Sequence, residues 1–99
     1  MSVNIHLALR VDKLESLQQA ATVRAALAEV LREHSIEQEV QLRKFREPIS
    51  VKVTTGRWPL SVRGFGVWSA AFERDVTAAV HGVVPSAAID LEWGYPDEA

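Results

Sequence analysis

Residues 36–54, IEQEVQLRKFREPISVKVT, decide the fold of this chain. From Ile36 to Arg43 the residues alternate, with Ile36, Val40 and Leu42 on one side and Glu37, Glu39, Gln41 and Arg43 on the other. The segment Lys44-Phe45-Arg46-Glu47-Pro48 breaks the alternation, and Ile49, Val51 and Val53 resume it against Ser50, Lys52 and Thr54. A period of two with one apolar side is the pattern of a half-buried strand. The connection between the two runs is too short for a parallel return, which needs a dozen or more residues, so the middle of the chain is an antiparallel hairpin.

Outward from this hairpin the periods repeat on both sides. Upstream, Val3, Ile5, Leu7, Leu9 and Val11 alternate with Asn4, His6, Ala8 and Arg10 as a first strand. Asp12 or Ser16 then caps a helix that runs from Leu14 to about His34, with an apolar stripe of Ala20, Val23, Leu27, Val30 and Leu31. Downstream, Gly56 to Gly66 follows neither period and is expected to be a loop. A second helix keeps the 3–4 spacing through Trp68, Ala71, Phe72, Val76, Ala79, Val80 and Val83, and Gly82 and Pro85 bracket its end. Ile89, Leu91 and Trp93 alternate with Ala88, Asp90 and Glu92 as a fourth strand, stopped by Gly94-Tyr95-Pro96.

The order β-α-β-β-α-β resembles the ferredoxin-like fold over nearly the whole chain, and residues 1–99 are expected to form a single α+β domain. That resemblance implies a four-stranded antiparallel sheet in the order 4-1-3-2 with both helices on one face. The helix-covered face is expected to carry Val3, Ile5, Leu7, Leu9, Val40, Val51, Val53, Ile89 and Leu91. Such a plan hosts many unrelated functions and transfers none by itself.

Composition narrows the chemistry. The chain of 99 residues has no cysteine, so disulfides, thiolate metal sites and thiol catalysis are excluded. A formal charge of −2 removes the global attraction that accompanies sequence-independent nucleic-acid binding. On the open face of strands one and three stand Asn4, His6, Ala8, Arg10, Ser50, Lys52 and Thr54, without the aromatics on which an RNA-recognition domain stacks bases. Val11-Asp12-Lys13-Leu14-Glu15 lacks the glycine-rich phosphate cradle of an acylphosphatase-like enzyme. No apolar run approaches the ~20 residues that cross a bilayer. Met-Ser-Val-Asn-Ile-His at the start resembles no secretory leader, and a cytoplasmic location is expected. No metal and no cofactor is expected.

Of the three histidines, His34 and His81 end helices, where the dipole favours them, and His6 projects from the open sheet face. On that face Glu37 and Glu39 are expected on one edge strand and Asp90 and Glu92 on the other, with Arg10 and Lys52 between. The 57–66 loop spends Arg57, Trp58, Arg63 and Phe65 in one short segment, and these residue types dominate interface hot spots. Glu92, Asp97 and Glu98 form an acidic stretch suited to steering a basic partner. The expected function is a non-enzymatic interaction module: an adaptor, a subunit, or an immunity-type neutraliser of a toxin-like protein. The alternative is a small-molecule or phosphoester ligand-binding domain or enzyme using Arg57, Arg63 and His6. Leu91, Trp93 and Tyr95 make the fourth strand the expected pairing edge of a homodimer.

Overall fold

A computed structural model describes residues 2–95. Its element order is β1 (Ser2–Asp12), α1 (Leu17–Glu33), β2 (Val40–Arg46), β3 (Ile49–Thr55), β4 (Leu60–Arg63), α2 (Phe65–Val83) and β5 (Ala88–Gly94). The architecture is α+β, with two helices and an antiparallel sheet of five strands. β1 is the hub: Ala8–Val11 pair with β3, His6–Asp12 with β5, and Ser2–Ile5 with β4, while β2 adds to the outer side of β3.

The four-stranded order 4-1-3-2 is therefore corrected to five strands, with a sheet path β2-β3-β1-β4 and β5 also on β1. The added strand comes from the segment expected to be a loop. Leu60 and Val62 are buried while Ser61 and Arg63 are exposed. That alternation covers only four residues between Pro59 and Gly64, too few for a period to stand out. β1 creates the place for it by extending past the residues that meet β3 and β5.

The second strand also begins later than expected. Ile36 donates its N–H to Leu31 O at 3.0 Å and Ser35 donates to Arg32 O at 3.1 Å, with Ser35 at φ 60°. This is a Schellman stop, and buried Ile36 seals the C-terminus of α1 rather than opening a strand. Glu37 to Glu39 form a turn, and β2 continues through Lys44, Phe45 and Arg46 to a two-residue turn at Glu47-Pro48. These last strand residues are exposed, so no apolar alternation announces them.

Facing follows the alternation of β1. Ile5, Leu7, Leu9 and Val11 are buried with Val51 and Val53, against Ala20, Val23, Leu27, Phe72, Val76 and Val80 of the helices. Fully burying such side chains contributes about 1.5–3 kcal/mol each. Ser16 caps α1, accepting the Gln19 N–H at 3.1 Å. α1 lies over β2 and β3, and α2 packs on α1 and reaches β4. No helix among the described residues is long and apolar enough to cross a membrane.

Candidate functional site

The segment around residues 57–66 is divided by its own fold. Thr54 is held opposite Ala8 and Leu60 opposite Ile5, which leaves Gly56–Pro59 as a short projecting connection. At its tip Trp58 is 76% exposed, an unusual placement for the largest side chain. The Arg57 guanidinium lies 5.9 Å from the Trp58 ring centroid, within cation–π range. Both residues line a cleft of about 300 Å³ with Gln38, Glu39, Gly56 and Pro59. Glu39, expected on the open sheet face, thus stands in the same cleft as Arg57.

Arg63 is exposed at the far end of β4, in register with Ser2, and does not line that cleft. Phe65 is half-buried and meets Trp93 edge-on at 5.3 Å and Tyr95 at 5.9 Å. It belongs to an aromatic cluster with Trp68 and Phe72 and is spent on packing rather than presented to solvent. Gly64, between Arg63 and Phe65, has φ 59° and serves as the N-cap of α2 without a side-chain cap.

The open sheet face differs from the expected pattern because of the shift in β2. Glu37 and Glu39 are not on it. Register instead sets Arg43 opposite Lys52, Lys52 opposite Arg10, and Arg10 opposite Asp90. Three cations stand in one row, and like charges directly opposite are destabilising. Lys52 turns its Nζ over the Phe45 ring, 4.9 Å from the centroid, and Arg10 gives its Nε to Asp12 at 2.8 Å. Lys52, Arg10, Asp90 and Glu92 line a shallow cleft of about 290 Å³ above Ala8. Glu92 is exposed, while Asp97 and Glu98 lie outside the described residues.

Among the described residues no histidine bonds both a hydroxyl and a carboxylate. His6 Nδ1 is 2.8 Å from Thr55 Oγ1, which also accepts the Leu7 N–H at 3.2 Å. His81 Nε2 donates to Ala87 O at 3.0 Å. His34 Nε2 donates to Asp75 Oδ2 at 2.8 Å, between aromatic rings. Among the described residues no group of three or more His, Asp or Glu is placed to hold a metal ion.

Two features escaped the reading of the residues: the cleft that joins Glu39 to Arg57, and the cationic row. The first depends on where β2 starts, and its signal is the apolar Ile36 directly after a helix-ending His34-Ser35 pair; the second depends on the hairpin register that the Glu47-Pro48 turn sets, Arg46 opposite Ile49 and Arg43 opposite Lys52. Comparison with protein-family models, curated proteins and solved structures gives no match to this chain.

Proposed function

We propose that this protein is a small non-enzymatic interaction module, an adaptor, subunit or neutraliser of a toxin-like protein, that grips another protein with its Arg57–Trp58 tip. The observation that carries this reading is the exposure of Trp58 beside Arg57 at the edge of a cleft. An indole left in water loses hydrophobic stabilisation that a partner can supply, and Trp and Arg are the residues most enriched at hot spots. Arg63 extends the basic side of the surface, and Glu92 with Asp97 and Glu98 supplies the steering charge. We place the module in the cytoplasm, where a domain without cysteine loses nothing to reducing conditions. Its proposed architecture is the ferredoxin-like plan with β4 inserted between β3 and α2.

The rival reading, a ligand-binding or phosphoester enzyme site, needs Arg57, Arg63 and His6 in one pocket. It draws less support, since Arg63 and His6 do not line the Arg57 cleft and His6 is engaged by Thr55.

The test is capture from a lysate of the source cell on immobilised wild-type chain and on Trp58→Ala, followed by calorimetry with the purified bound protein. A stoichiometric partner that Trp58→Ala no longer retains supports the proposal. Equal retention by both chains overturns it.

A further inference from the structure

We infer that the outer edge of β5 is a strand-addition site for an extended peptide segment in which apolar and basic residues alternate. This goes beyond the tip at Trp58 and uses a different edge of the sheet, sharing with the proposed partner surface only the charge of Glu92. Among the described residues β5 pairs with β1 and with no other strand. An antiparallel ladder directs the N–H and C=O of every second residue away from the partner, so β5 offers a row of unpaired backbone groups.

Beside this edge the helical layer does not close on the sheet. A groove of about 330 Å³ lies between α2 and β5, with buried or half-buried Val76, Ile89 and Leu91 and exposed Glu73 and Thr77 along it. The His81 bond to Ala87 O at 3.0 Å ties the end of α2 to the segment entering β5. A strand laid on β5 sends alternate side chains to the two faces of the sheet. One set enters the groove against Ile89 and Leu91, and must be apolar. The other set lies on the open face beside Asp90 and Glu92.

Charge selects the second set. Asp90 and Glu92 are exposed and take part in no salt bridge among the described residues. Arg10, directly opposite Asp90, is turned to Asp12. Lysine or arginine on the added strand meets these carboxylates as cross-strand pairs.

A second copy of β5 is a poorer occupant. Two-fold pairing requires antiparallel copies, and a register centred on Asp90, Leu91 or Glu92 sets carboxylate directly against carboxylate. The edge is thereby blunted against its own copies while remaining open to a basic strand. This is the peptide-recognition mode in which main-chain bonds supply affinity and alternate side chains supply specificity.

The probe is a synthetic, end-blocked peptide of about seven residues, a strand's usual length, alternating Val or Leu with Lys. Controls carry Glu in place of Lys, or N-methyl groups on alternate residues. Titration of the isotope-labelled full chain, followed by amide shifts and hydrogen exchange, is expected to place the Lys peptide on residues 88–94 and the groove face of α2. The Glu and N-methylated peptides are expected not to bind. The chain carrying Asp90→Lys and Glu92→Lys should lose about tenfold or more in affinity for the Lys peptide and accept the Glu peptide. Should that chain fail to fold, Asp90→Asn with Glu92→Gln should weaken the Lys peptide in the same direction. Equal binding of Lys and Glu peptides, shifts confined to β2 or Gly56–Pro59, or an affinity unmoved by either pair of substitutions overturns the inference.

Discussion

The Nε2 of His34, at the C-terminus of α1, donates to the carboxylate of Asp75 in the middle of α2 at 2.8 Å. The same imidazole stands edge-on to Trp68 at 5.8 Å and to Phe72 at 5.3 Å. One side chain therefore links the end of one helix to the aromatic face of the other, and its polar tip is satisfied where its ring is enclosed. Hydrogen bonds to charged groups contribute about 1.5–3 kcal/mol. A double-mutant cycle of His34→Ala and Asp75→Ala, read by urea unfolding, should give a coupling energy of about 1 kcal/mol or more. Additive single effects would mean that the two helices are held by packing alone.

Core facing is tested by pairs of neighbours. Phe72 is fully buried and Val67, one helical turn and a residue earlier, is 82% exposed. Phe72→Ala should cost about 3–5 kcal/mol, whereas Val67→Ala should change stability by less than ~0.5 kcal/mol. Leu7→Ala on β1 belongs with the first, at about 2–5 kcal/mol. Similar urea midpoints for Phe72→Ala and Val67→Ala would refute the orientation of α2.

The parts of the fold legible in the residues are those where one face is buried over several periods. β1 shows five alternating apolar residues because Ile5, Leu7, Leu9 and Val11 lie in the core and Val3 packs against it, and both helices show their stripes because they bury them in the same core. Legibility fails where burial and secondary structure part company. Phe45 and Arg46 extend β2 beyond the helical layer, so their strand character comes from pairing with Ser50 and Ile49 and leaves no apolar signature. Ile36 is apolar because it closes a helix, and its position mimics the first inward residue of the strand that follows. Of the candidate interface residues the sequence offers, Arg57 and Trp58 stand together and exposed, whereas Phe65 has the same composition signal and is packed against Trp93. Side-chain type alone does not separate an anchor from a core extension, because burial in either setting stabilises the same apolar area.

The cationic row on the open face sets like charges opposite one another, and one substitution can convert a pair. Arg43 is directly opposite Lys52, and Lys52 opposite Arg10. Arg43→Glu converts a like-charge pair into an opposite one, worth about 0.2–1 kcal/mol. Thermal unfolding at low ionic strength should show a higher midpoint for Arg43→Glu than for wild type, and the gain should shrink in ~1 M salt as screening shortens the range of the interaction. A lower midpoint at both salt concentrations would place Arg43 in a stabilising contact.

Backbone conformation predicts opposite outcomes for two glycines on α2. Gly64 adopts φ 59°, and Gly82 lies within the last helical turn; a methyl group at either would meet no neighbouring heavy atom within 4 Å. Space is thus not at issue at either position. Gly64→Ala should destabilise by about 1 kcal/mol, since a Cβ disfavours the left-handed region. Gly82→Ala should stabilise by about 0.4–1 kcal/mol by restricting the unfolded chain. Unfolding curves that move in the same direction would show that one of the two conformations is wrong.

Trp58 and the acidic C-terminal residues should fail differently if the tip grips a partner. Trp58 touches Arg57 and is otherwise largely in water, so Trp58→Ala should leave unfolding within ~0.5 kcal/mol of wild type. Its cost should fall on the complex instead, about 2 kcal/mol or more, as for hot-spot anchors, and mainly through faster dissociation. Asp97→Asn with Glu98→Gln removes charge without an anchor and should mainly slow association at low salt, with the difference vanishing as salt rises. Surface plasmon resonance with the captured partner separates the two rates, and thermal denaturation supplies the control. A Trp58→Ala chain that binds as wild type but unfolds at lower temperature would make Trp58 a packing residue and move the interface away from the Gly56–Pro59 tip.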